Sequence, residues 1–221
     1  MVAVTSRTRR AEALSRERIV EAAVALLDAD GEGGLTFKAL TERLATGPGA
    51  IYHHVANKGE LLAVATDGVV VAALEAEAAG SPQDALRGIA LRLFDAIDAH
   101  PWVAAQLSAS SWQAGGPLIL ERVGRQVQAL GVPERDWFTV TTVLMQYVLG
   151  AAAQNAANAR VAAPGVGRAE FLGEVAETWK ALDGYPFARA VADQMREHDD
   201  RAQFLAGIDL VLTGIVGRYT G

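Results

Sequence analysis

The chain contains no cysteine among its 221 residues, and this absence removes several classes of chemistry. Disulfides, catalytic thiols and cysteine-based zinc sites are excluded. The sequence also has no glycine-rich phosphate loop, no spacing typical of metal ligands, and no serine in a strand-turn-helix setting. It therefore offers little support for an enzyme, and we predict no catalytic residue, no metal site and no cofactor.

Aromatic residues are scarce, at 6% of the chain, and no segment shows the alternation of a β-strand. The apolar fraction is 51% and is dominated by alanine, the residue with the highest helix propensity. An apolar fraction of this size is sufficient for a substantial core. The composition therefore predicts an all-α fold.

The N-terminal residues are polar and basic and include no apolar stretch typical of a secretory signal, so we expect a cytoplasmic protein. Residues 137–159 carry no charge and are numerous enough to cross a bilayer. However, their threonine, glutamine and asparagine side chains would cost free energy in lipid. We expect this segment to be a helix buried between protein surfaces, with no membrane contact.

The net charge of −6 hides a difference between the two parts of the chain. Residues 1–60 contain eight Lys/Arg and eight Asp/Glu, whereas residues 61–221 contain twelve and eighteen. Two interpretations of the arginines near the N-terminus remain open, a phosphate-binding arm and a solubilising disordered terminus. These arginines are Arg7, Arg9, Arg10, Arg16 and Arg18.

A short amphipathic helix is predicted after Thr36, which is placed as its N-cap. Phe37, Leu40 and Leu44 are spaced i, i+3 and i+7 and form one apolar face. Residues 45–47, Ala-Thr-Gly, then supply a turn.

A second short helix is predicted to begin at Pro48, since proline suits the first helical position. Ile51 lies on its inward face. Asn57 and Glu60 have the spacing of a cap with a returning carboxylate, which predicts a longer helix from Lys58. Helix, turn and helix together form the helix-turn-helix pattern, whose second helix can enter a DNA major groove.

Helical spacing predicts further helices on both sides of this pattern. The first begins at Ser15 and ends in the Asp-Gly-Glu-Gly-Gly run at 30–34. Ser81 is predicted to cap a helix that starts at Pro82. The other predicted helices span 58–79, 102–110, 117–130, 134–160, 168–182 and 200–219. We divide the chain into a basic arm (1–14), a helix-turn-helix domain (15–62) and a regulatory and dimerisation domain (63–221).

Residues 15–64 resemble the DNA-binding region of the TetR family of bacterial transcriptional regulators. The segments that carry the resemblance are Leu35–Leu40, Leu44, Ala50–Val55 and Asn57–Leu62. The rest of the chain resembles the family only in its layout, with a long uncharged helix and an apolar last helix.

The resemblance implies a homodimeric repressor that binds a palindromic operator in double-stranded DNA and is released by a small-molecule effector. The alternative is a dimeric helical protein that binds small molecules and whose DNA binding is weak or lost. This alternative is conceivable because Pro48, Gly49 and Ala50, where the family reads bases, have no hydrogen-bonding side chain.

The resemblance also implies roles for individual residues. Tyr52, His54 and Lys58 are expected to contact DNA phosphates. Without the resemblance, Tyr52 would be interpreted as a packing residue. Lys38 and Thr46 are further expected contacts with the DNA backbone. The complete predicted DNA-binding set is Thr36, Lys38, Thr46, Pro48, Gly49, Ala50, Tyr52, His53, His54 and Lys58.

Two further sets of residues are candidates for a ligand pocket and a dimer interface, and for both sets the intrachain core is the competing interpretation. An apolar pocket with a few amides and indoles suits an apolar or aromatic effector. The pocket candidates are Phe94, Trp102, Gln106, Trp112, Met145, Gln146, Leu149 and Trp179. The interface candidates are Leu144, Val148, Ala152, Phe204, Ile208, Val211, Leu212 and Ile215.

Overall fold

A computed structural model describes residues 14–77, 80–109, 113–159 and 167–219 of the chain. These ranges contain eleven α-helices, one 3-10 turn and no strand, which confirms the predicted all-α class. The helices are α1 (Arg16–Gly34), α2 (Phe37–Leu44), α3 (Pro48–Tyr52), α4 (Lys58–Ala73), α5 (Pro82–Ala99), α6 (Trp102–Ala109), α7 (Gly116–Ala129), α8 (Trp137–Asn158), α9 (Arg168–Lys180), α10 (Pro186–Arg196) and α11 (Asp200–Tyr219). The 3-10 turn, Glu134–Asp136, immediately precedes α8.

The predicted caps of the first helices are present. The hydroxyl groups of Ser15 and Thr36 each accept a hydrogen bond from the backbone N–H three residues later, at 3.3 and 3.0 Å. Asn57 Oδ1 accepts from the backbone N–H of Glu60 at 2.9 Å. The Glu60 carboxylate returns to the backbone N–H of Ala56 at 2.8 Å. Side chains thus satisfy N–H groups that have no partner within the helices.

The observed helix ends differ from the predictions at three places. In α1 the regular geometry is interrupted at Gly31, whose φ of 65° lies in the left-handed region that glycine adopts readily. Helix α4 ends at Ala73 rather than near residue 79, and the buried Leu74 that follows departs from helical φ and ψ. Helix α10 is not among the predicted helices, although Pro186 lies in its first turn, a position that proline favours.

The chain forms two compact units, one of Met1–Glu77 with Ala99–Glu121 and the other of Ala78–Asp98 with Arg122–Gly221. In the first unit, α1 packs against α2, α4 and α6, and α4 packs against α6. These helices enclose a small core, in which burial of each large apolar side chain stabilises the folded state by about 1.5–3 kcal/mol. The fully buried residues of this core include Ile19, Leu27, Leu35, Leu40, Ile51 and Leu61.

In the second unit, α8 packs against α11 and α9 packs against α10. Helix α5 joins α11 through two ion pairs, Arg87 with Asp209 and Arg201 with Asp95, in which the shortest distances are 2.6 and 3.0 Å. In the part of the chain that the structure describes, no helix is long and apolar enough to span a membrane.

Candidate nucleic-acid interface and ligand cavity

Helices α2 and α3 are held together by a tight turn and by buried side chains. Ala45 ends α2 with a φ of 49°, and its N–H bonds to carbonyls of the last turn. Pro48 then begins α3, as its missing N–H predicts. Leu40 and Ile51 are both completely buried, so they fix the two helices to the rest of the first unit. The turn and the buried pair together give α3 a defined position.

The start of α3 is open to solvent and offers little polar chemistry. Pro48, Gly49 and Ala50 are exposed, and a Cβ added to Gly49 would meet no atom within 4 Å. None of these side chains can form a hydrogen bond. This tip therefore permits a close approach of another backbone or of a base. Its side chains supply no donor that could form a hydrogen bond with a base.

Tyr52 is both a packing residue and an exposed one. Its ring stacks on Phe37 of α2, with centroids 4.4 Å apart and planes inclined by 11°. The residue is nevertheless 52% exposed. The ring therefore ties α3 to α2 while leaving half of the side chain accessible to a partner molecule.

Lys58 lies at the first position of α4 and connects that helix to α1. Its Nζ donates to the backbone carbonyl of Glu32 at 2.6 Å. An ammonium group has three N–H donors, so this bond leaves donors for an anion. The exposed N–H groups at the start of a helix favour an anion at the same place.

The two adjacent histidines have different environments. His53 is exposed, whereas His54 is half-buried, and their rings meet edge to face at 5.5 Å. The pKa of Glu17 lies below its ordinary value, chiefly because its own backbone N–H and the Ser15 hydroxyl hydrogen-bond the carboxylate. His54 adds a smaller attraction.

The other predicted DNA-binding residues lie on or beside α2. Thr36 is exposed and caps the helix, and Thr46 is half-buried in the turn. Lys38 lies 3.9 Å from Glu42, but both side chains are largely exposed, so this pair contributes little to stability. Arg43, in the last turn of α2, is an exposed cation that the sequence interpretation missed. All ten predicted residues thus lie from the N-cap of α2 to the first residue of α4, and their contact with DNA remains a prediction.

Two of the predicted pocket residues lie in the first unit and contact α1. Trp102 Nε1 donates to Asp28 Oδ1 at 2.7 Å, and His100 Nδ1 lies 2.8 Å from the same oxygen. Gln106 Nε2 lies 3.5 Å from a carboxylate oxygen of Glu32. Trp102 and Gln106 therefore connect α6 to α1 instead of lining the cavity described below.

A cavity of about 710 Å³ lies in the second unit among α5, α8, α9, α10 and α11. Of the predicted pocket residues, Phe94 and Trp179 line it. Met145, Gln146 and Leu149 are not among its lining residues, because they lie on other faces of α8, and Trp112 lies outside the described residues. The lining residues that were not predicted are Tyr147, Ala151, Gln154, Asn155, Asn158, Met195, His198, Asp200, Gln203, Phe204, Ala206, Gly207 and Leu210.

Aromatic rings cluster at one part of this cavity. Phe204 contacts Phe94 and Tyr147, with ring centroids 4.6 and 5.8 Å away. The Tyr147 hydroxyl donates to the Phe204 carbonyl at 2.9 Å, and burial raises the pKa of Tyr147. The phenol lies over Gly207, where a Cβ would have no room.

A polar cluster around Asp200 forms another part of the cavity wall. Arg168 Nη2 lies 2.6 Å from Asp200 Oδ2, and His198 Nε2 lies 2.6 Å from Oδ1. With its amide nitrogen turned towards the carboxylate, Asn155 donates to both oxygens at 2.9 Å. One weak signal for this cluster is visible in the sequence, the amides at 154, 155 and 158.

The predicted interface residues lie mainly inside a single chain. Seven of the eight are buried where α8 and α11 face the core of the second unit, and Val211 is half-buried. The large apolar side chains that are exposed on these two helices are Phe138 (64%), Val143 (44%) and Leu210 (76%). Contact of the eight predicted residues with a second copy remains a prediction, and the three exposed side chains are further candidates.

Comparison with known proteins gives consistent results over both parts of the chain. The family model of bacterial regulatory proteins of the tetR family matches residues 19–65, and the model of the tetracyclin repressor-like C-terminal domain matches residues 75–219. A curated HTH-type transcriptional regulator of Saccharopolyspora erythraea is 33% identical over 141 residues, which are 62% of this chain and 59% of that protein. The chain thus spans less than two thirds of that relative's length.

Solved structures agree with these matches. A transcriptional regulator described as a TetR from Streptomyces coelicolor is 60% identical, with a TM-score of 0.85 over 94% of this chain and 100% of its own. BioQ, solved with its double-stranded DNA operator, is 26% identical, with a TM-score of 0.64 over 92% of this chain and 99% of its own.

Proposed function

This chain belongs to the TetR family of bacterial regulatory proteins, and we propose that it is a ligand-responsive dimeric transcriptional repressor. The dimer binds a palindromic operator through two helix-turn-helix units, and a small-molecule effector releases it. The premise of this proposal is that the family consists of bacterial regulatory proteins.

The exposed start of α3 is the observation that carries the proposal. Leu40 and Ile51 hold α2 and α3 in the first unit, while Pro48, Gly49 and Ala50 remain exposed. An α-helix fits into the major groove of B-form DNA, and groups at its sides then reach the phosphates. Tyr52 and Lys58 follow this tip two and eight positions later in the sequence.

The composition of the tip supports a particular division of roles. Phosphate contacts fix the position of a protein on DNA, whereas base contacts determine which sequence it prefers. Because Pro48, Gly49 and Ala50 lack donors, direct reading is limited to contact of Ala50 with a thymine methyl group or close backbone approach at Gly49. We propose that DNA shape and the N-terminal arginines supply the rest of the specificity.

Dimerisation is supported by the exposed faces of α8 and α11. Helix α8 contains no charged residue, yet Phe138 and Val143 on it are exposed. On α11, Leu210 is exposed, and a Cβ added to Gly214 or Gly217 would meet nothing within 4 Å. Uncharged faces with small residues allow helices of two copies to approach closely. A dimer of this kind binds two half-sites about 34 Å apart, one turn of DNA.

The proposal is tested by selecting preferred sites from random DNA and measuring affinity for them at several salt concentrations. We expect the affinity of Lys58→Gln to fall about ten-fold, and the slope of log affinity against log salt to decrease by about one, because one phosphate contact is lost. Lys180→Gln is the matched control, since Lys180 pairs with Glu177 and Asp193 in the second unit.

Two outcomes would contradict this proposal. If selection enriches no sequence, the chain fits the alternative of a helical small-molecule binding protein without specific DNA binding. If Gly49→Ala and Ala50→Gly both leave the selected sequence unchanged, the proposed base contacts of α3 are wrong.

A further inference from the structure

The cavity in the second unit has a wall that is open to solvent. Ten of its fifteen lining residues are buried or half-buried, among them Phe94, Phe204 and Trp179. The five exposed lining residues are Gln154 and Asn158 of α8 and Gln203, Ala206 and Leu210 of α11. Leu210 is a large apolar side chain, and yet it is 76% exposed. The cavity is therefore incomplete on the side where these parts of α8 and α11 lie.

The open wall continues into an exposed row of residues along each of the two helices. On α8, Val143, Gly150 and Gln154 lie on one side at helical spacing, and all three are exposed. On α11, Leu210 and Gly217 do the same. Neither row contains a charged residue. Because α8 packs against α11 and both rows include lining residues of the same cavity, they form one uncharged surface.

Two charged side chains of α11 lie on another side of that helix. Arg201 and Asp209 pair with Asp95 and Arg87 of α5. At 3.6 residues per turn, both are about 100° or more around the helix from Leu210. These ion pairs within the chain therefore occupy the side of α11 that faces α5, and not the side that carries Leu210.

The uncharged surface is large enough for a stable contact between two copies of the chain. Helices of 22 and 20 residues are about 33 and 30 Å long at 1.5 Å per residue. With a diameter of about 10 Å each, the pair presents a face of about 600 Å², or about 1,200 Å² over two copies. Stable interfaces bury about 1,200–2,000 Å² in total. In a two-fold dimer the same face meets itself, and an uncharged face then meets no like charge.

The side chains of the cavity suit an uncharged aromatic ligand. The rings of Phe94 and Tyr147 both contact Phe204 and supply an aromatic wall. Among the described residues that line the cavity, Asp200 is the only acidic one, and Arg168 already neutralises it at 2.6 Å. A cationic ligand would therefore find no unpaired carboxylate here, whereas flat apolar rings can pack on the aromatic wall.

We propose that the ligand site is shared between two copies of the chain. The uncharged surface of one copy closes the open wall of the other copy's cavity, and an uncharged aromatic ligand binds in the space completed in this way. The proposal rests on the proposed function only in taking the protein as a dimer. It adds that the site is complete in the dimer alone, so the ligand and the second copy each strengthen the binding of the other.

Closure of the wall is tested by the reactivity of a single introduced cysteine, since the chain has none of its own. Ala206→Cys places a thiol on the open wall, and Val71→Cys, on the exposed part of α4, is the control. Val143→Glu supplies the monomer, because Val143 belongs to the row on α8 but does not line the cavity. With dithionitrobenzoate, Ala206→Cys should react about ten-fold more slowly in the dimer than in the Val143→Glu background, because the second copy blocks access. Val71→Cys should react equally fast in both.

Sharing of the ligand site is tested with N-phenyl-1-naphthylamine, an uncharged aromatic probe that fluoresces in apolar surroundings. Val143 lies about 16 Å along α8 from Gln154, so its substitution does not touch the probe in the cavity. We expect Val143→Glu to bind the probe about ten-fold more weakly than the unchanged protein, and Val71→Glu to bind it equally well. Dilution of the unchanged protein until it dissociates should weaken binding in the same way, which separates the effect from misfolding of the variant.

Four results would each overturn the inference. The first is that Val143→Glu remains a dimer by sedimentation velocity, and the second is that the dimer does not bind the probe. The third is that Val143→Glu, as a monomer, binds the probe as tightly as the dimer does. The fourth is that Ala206→Cys reacts equally fast in dimer and monomer.

Failure here is distinguishable from failure of the proposed function. A protein whose probe binding and Ala206→Cys protection depend on the dimer, but which selects no DNA sequence, contradicts the proposed repressor alone. A protein that binds an operator as a dimer, but whose monomer binds the probe equally well, contradicts the shared site alone.

Discussion

Tyr52 combines two roles at the scale of a single residue, and its ring and its hydroxyl can be separated by substitution. The ring stacks on Phe37 and so connects α3 to α2. The remaining half of the side chain is exposed beside the tip of α3. A hydroxyl in that position is suited to a phosphate oxygen.

Tyr52→Phe should therefore weaken DNA binding while leaving the protein as stable as before. One hydrogen bond contributes about 1 kcal/mol, so we expect a loss of about five-fold in affinity for the operator. Tyr52→Ala removes the stack as well and should also lower the free energy of unfolding by about 1 kcal/mol. Fluorescence anisotropy and denaturant unfolding measure the two effects. Unchanged DNA affinity in Tyr52→Phe would assign the residue to packing alone.

Residues whose partners are close in sequence were predictable, and residues with distant partners were not. Thr36 and Asn57 each bond the N–H three residues later, so their capping roles could be inferred locally. Asp200 is held by Asn155 and Arg168, which lie 45 and 32 positions earlier in the sequence. No spacing rule connects positions this far apart, so the polar cluster around Asp200 could not be predicted.

At the scale of elements, α6 packs on α1 and so belongs to the first unit, which contains the helix-turn-helix. Asp28 accepts from Trp102, the first residue of α6, and lies within hydrogen-bond distance of His100, which precedes that helix. Trp102 is only 8% exposed, so its indole N–H has little access to water. Trp102 was predicted to line a pocket because indoles and amides suit an apolar ligand site, and the acceptor on α1 could not be inferred from sequence spacing.

Asp28→Ala should lower the free energy of unfolding by about 1–3 kcal/mol, because it leaves the indole N–H of Trp102 without its acceptor. Asp30→Ala is the control on the same helix. Asp30 is exposed, and a change there should remain within about 0.5 kcal/mol. Urea unfolding monitored by circular dichroism compares the two variants. Equal stability of both would show that the Asp28 contacts contribute nothing measurable.

Helix α10 shows how a local signal was present but misinterpreted. Ala188, Val191, Ala192 and Met195 have the i, i+3, i+4 and i+7 spacing of an amphipathic helix. Pro186 is also suited to the first helical position, yet no helix was predicted between residues 182 and 200. The helices with a clear cap were predicted to within a few residues of their observed start.

At the scale of the whole molecule, the long uncharged helix α8 has two faces with different environments. Leu144 and Val148 are buried within one chain, whereas Phe138 and Val143 are exposed. The sequence predicted that this segment is buried between protein surfaces. It could not show which face meets the chain's own core, because both faces are uncharged.

Leu210→Glu should convert the proposed dimer to a monomer. Leu210 is 76% exposed on α11, and a carboxylate there would have to lose its water if two such faces met. Val71→Glu is the matched control, since Val71 is an exposed apolar residue of α4. Sedimentation velocity at micromolar concentration should show a dimer for the unchanged protein and the control, and a monomer for Leu210→Glu. A dimer in all three would place the interface elsewhere.

Binding of α2 and α3 to operator DNA is tested most directly by a gel shift with the promoter fragment upstream of the protein's own gene. The ligand-free protein is used at low salt, with an excess of unrelated DNA as competitor. We expect a shift that survives the competitor, weakens steeply as salt is raised, and is lost when the promoter's half-sites are scrambled. A shift that unrelated DNA abolishes, or no shift at all, would contradict a role in sequence-specific DNA binding.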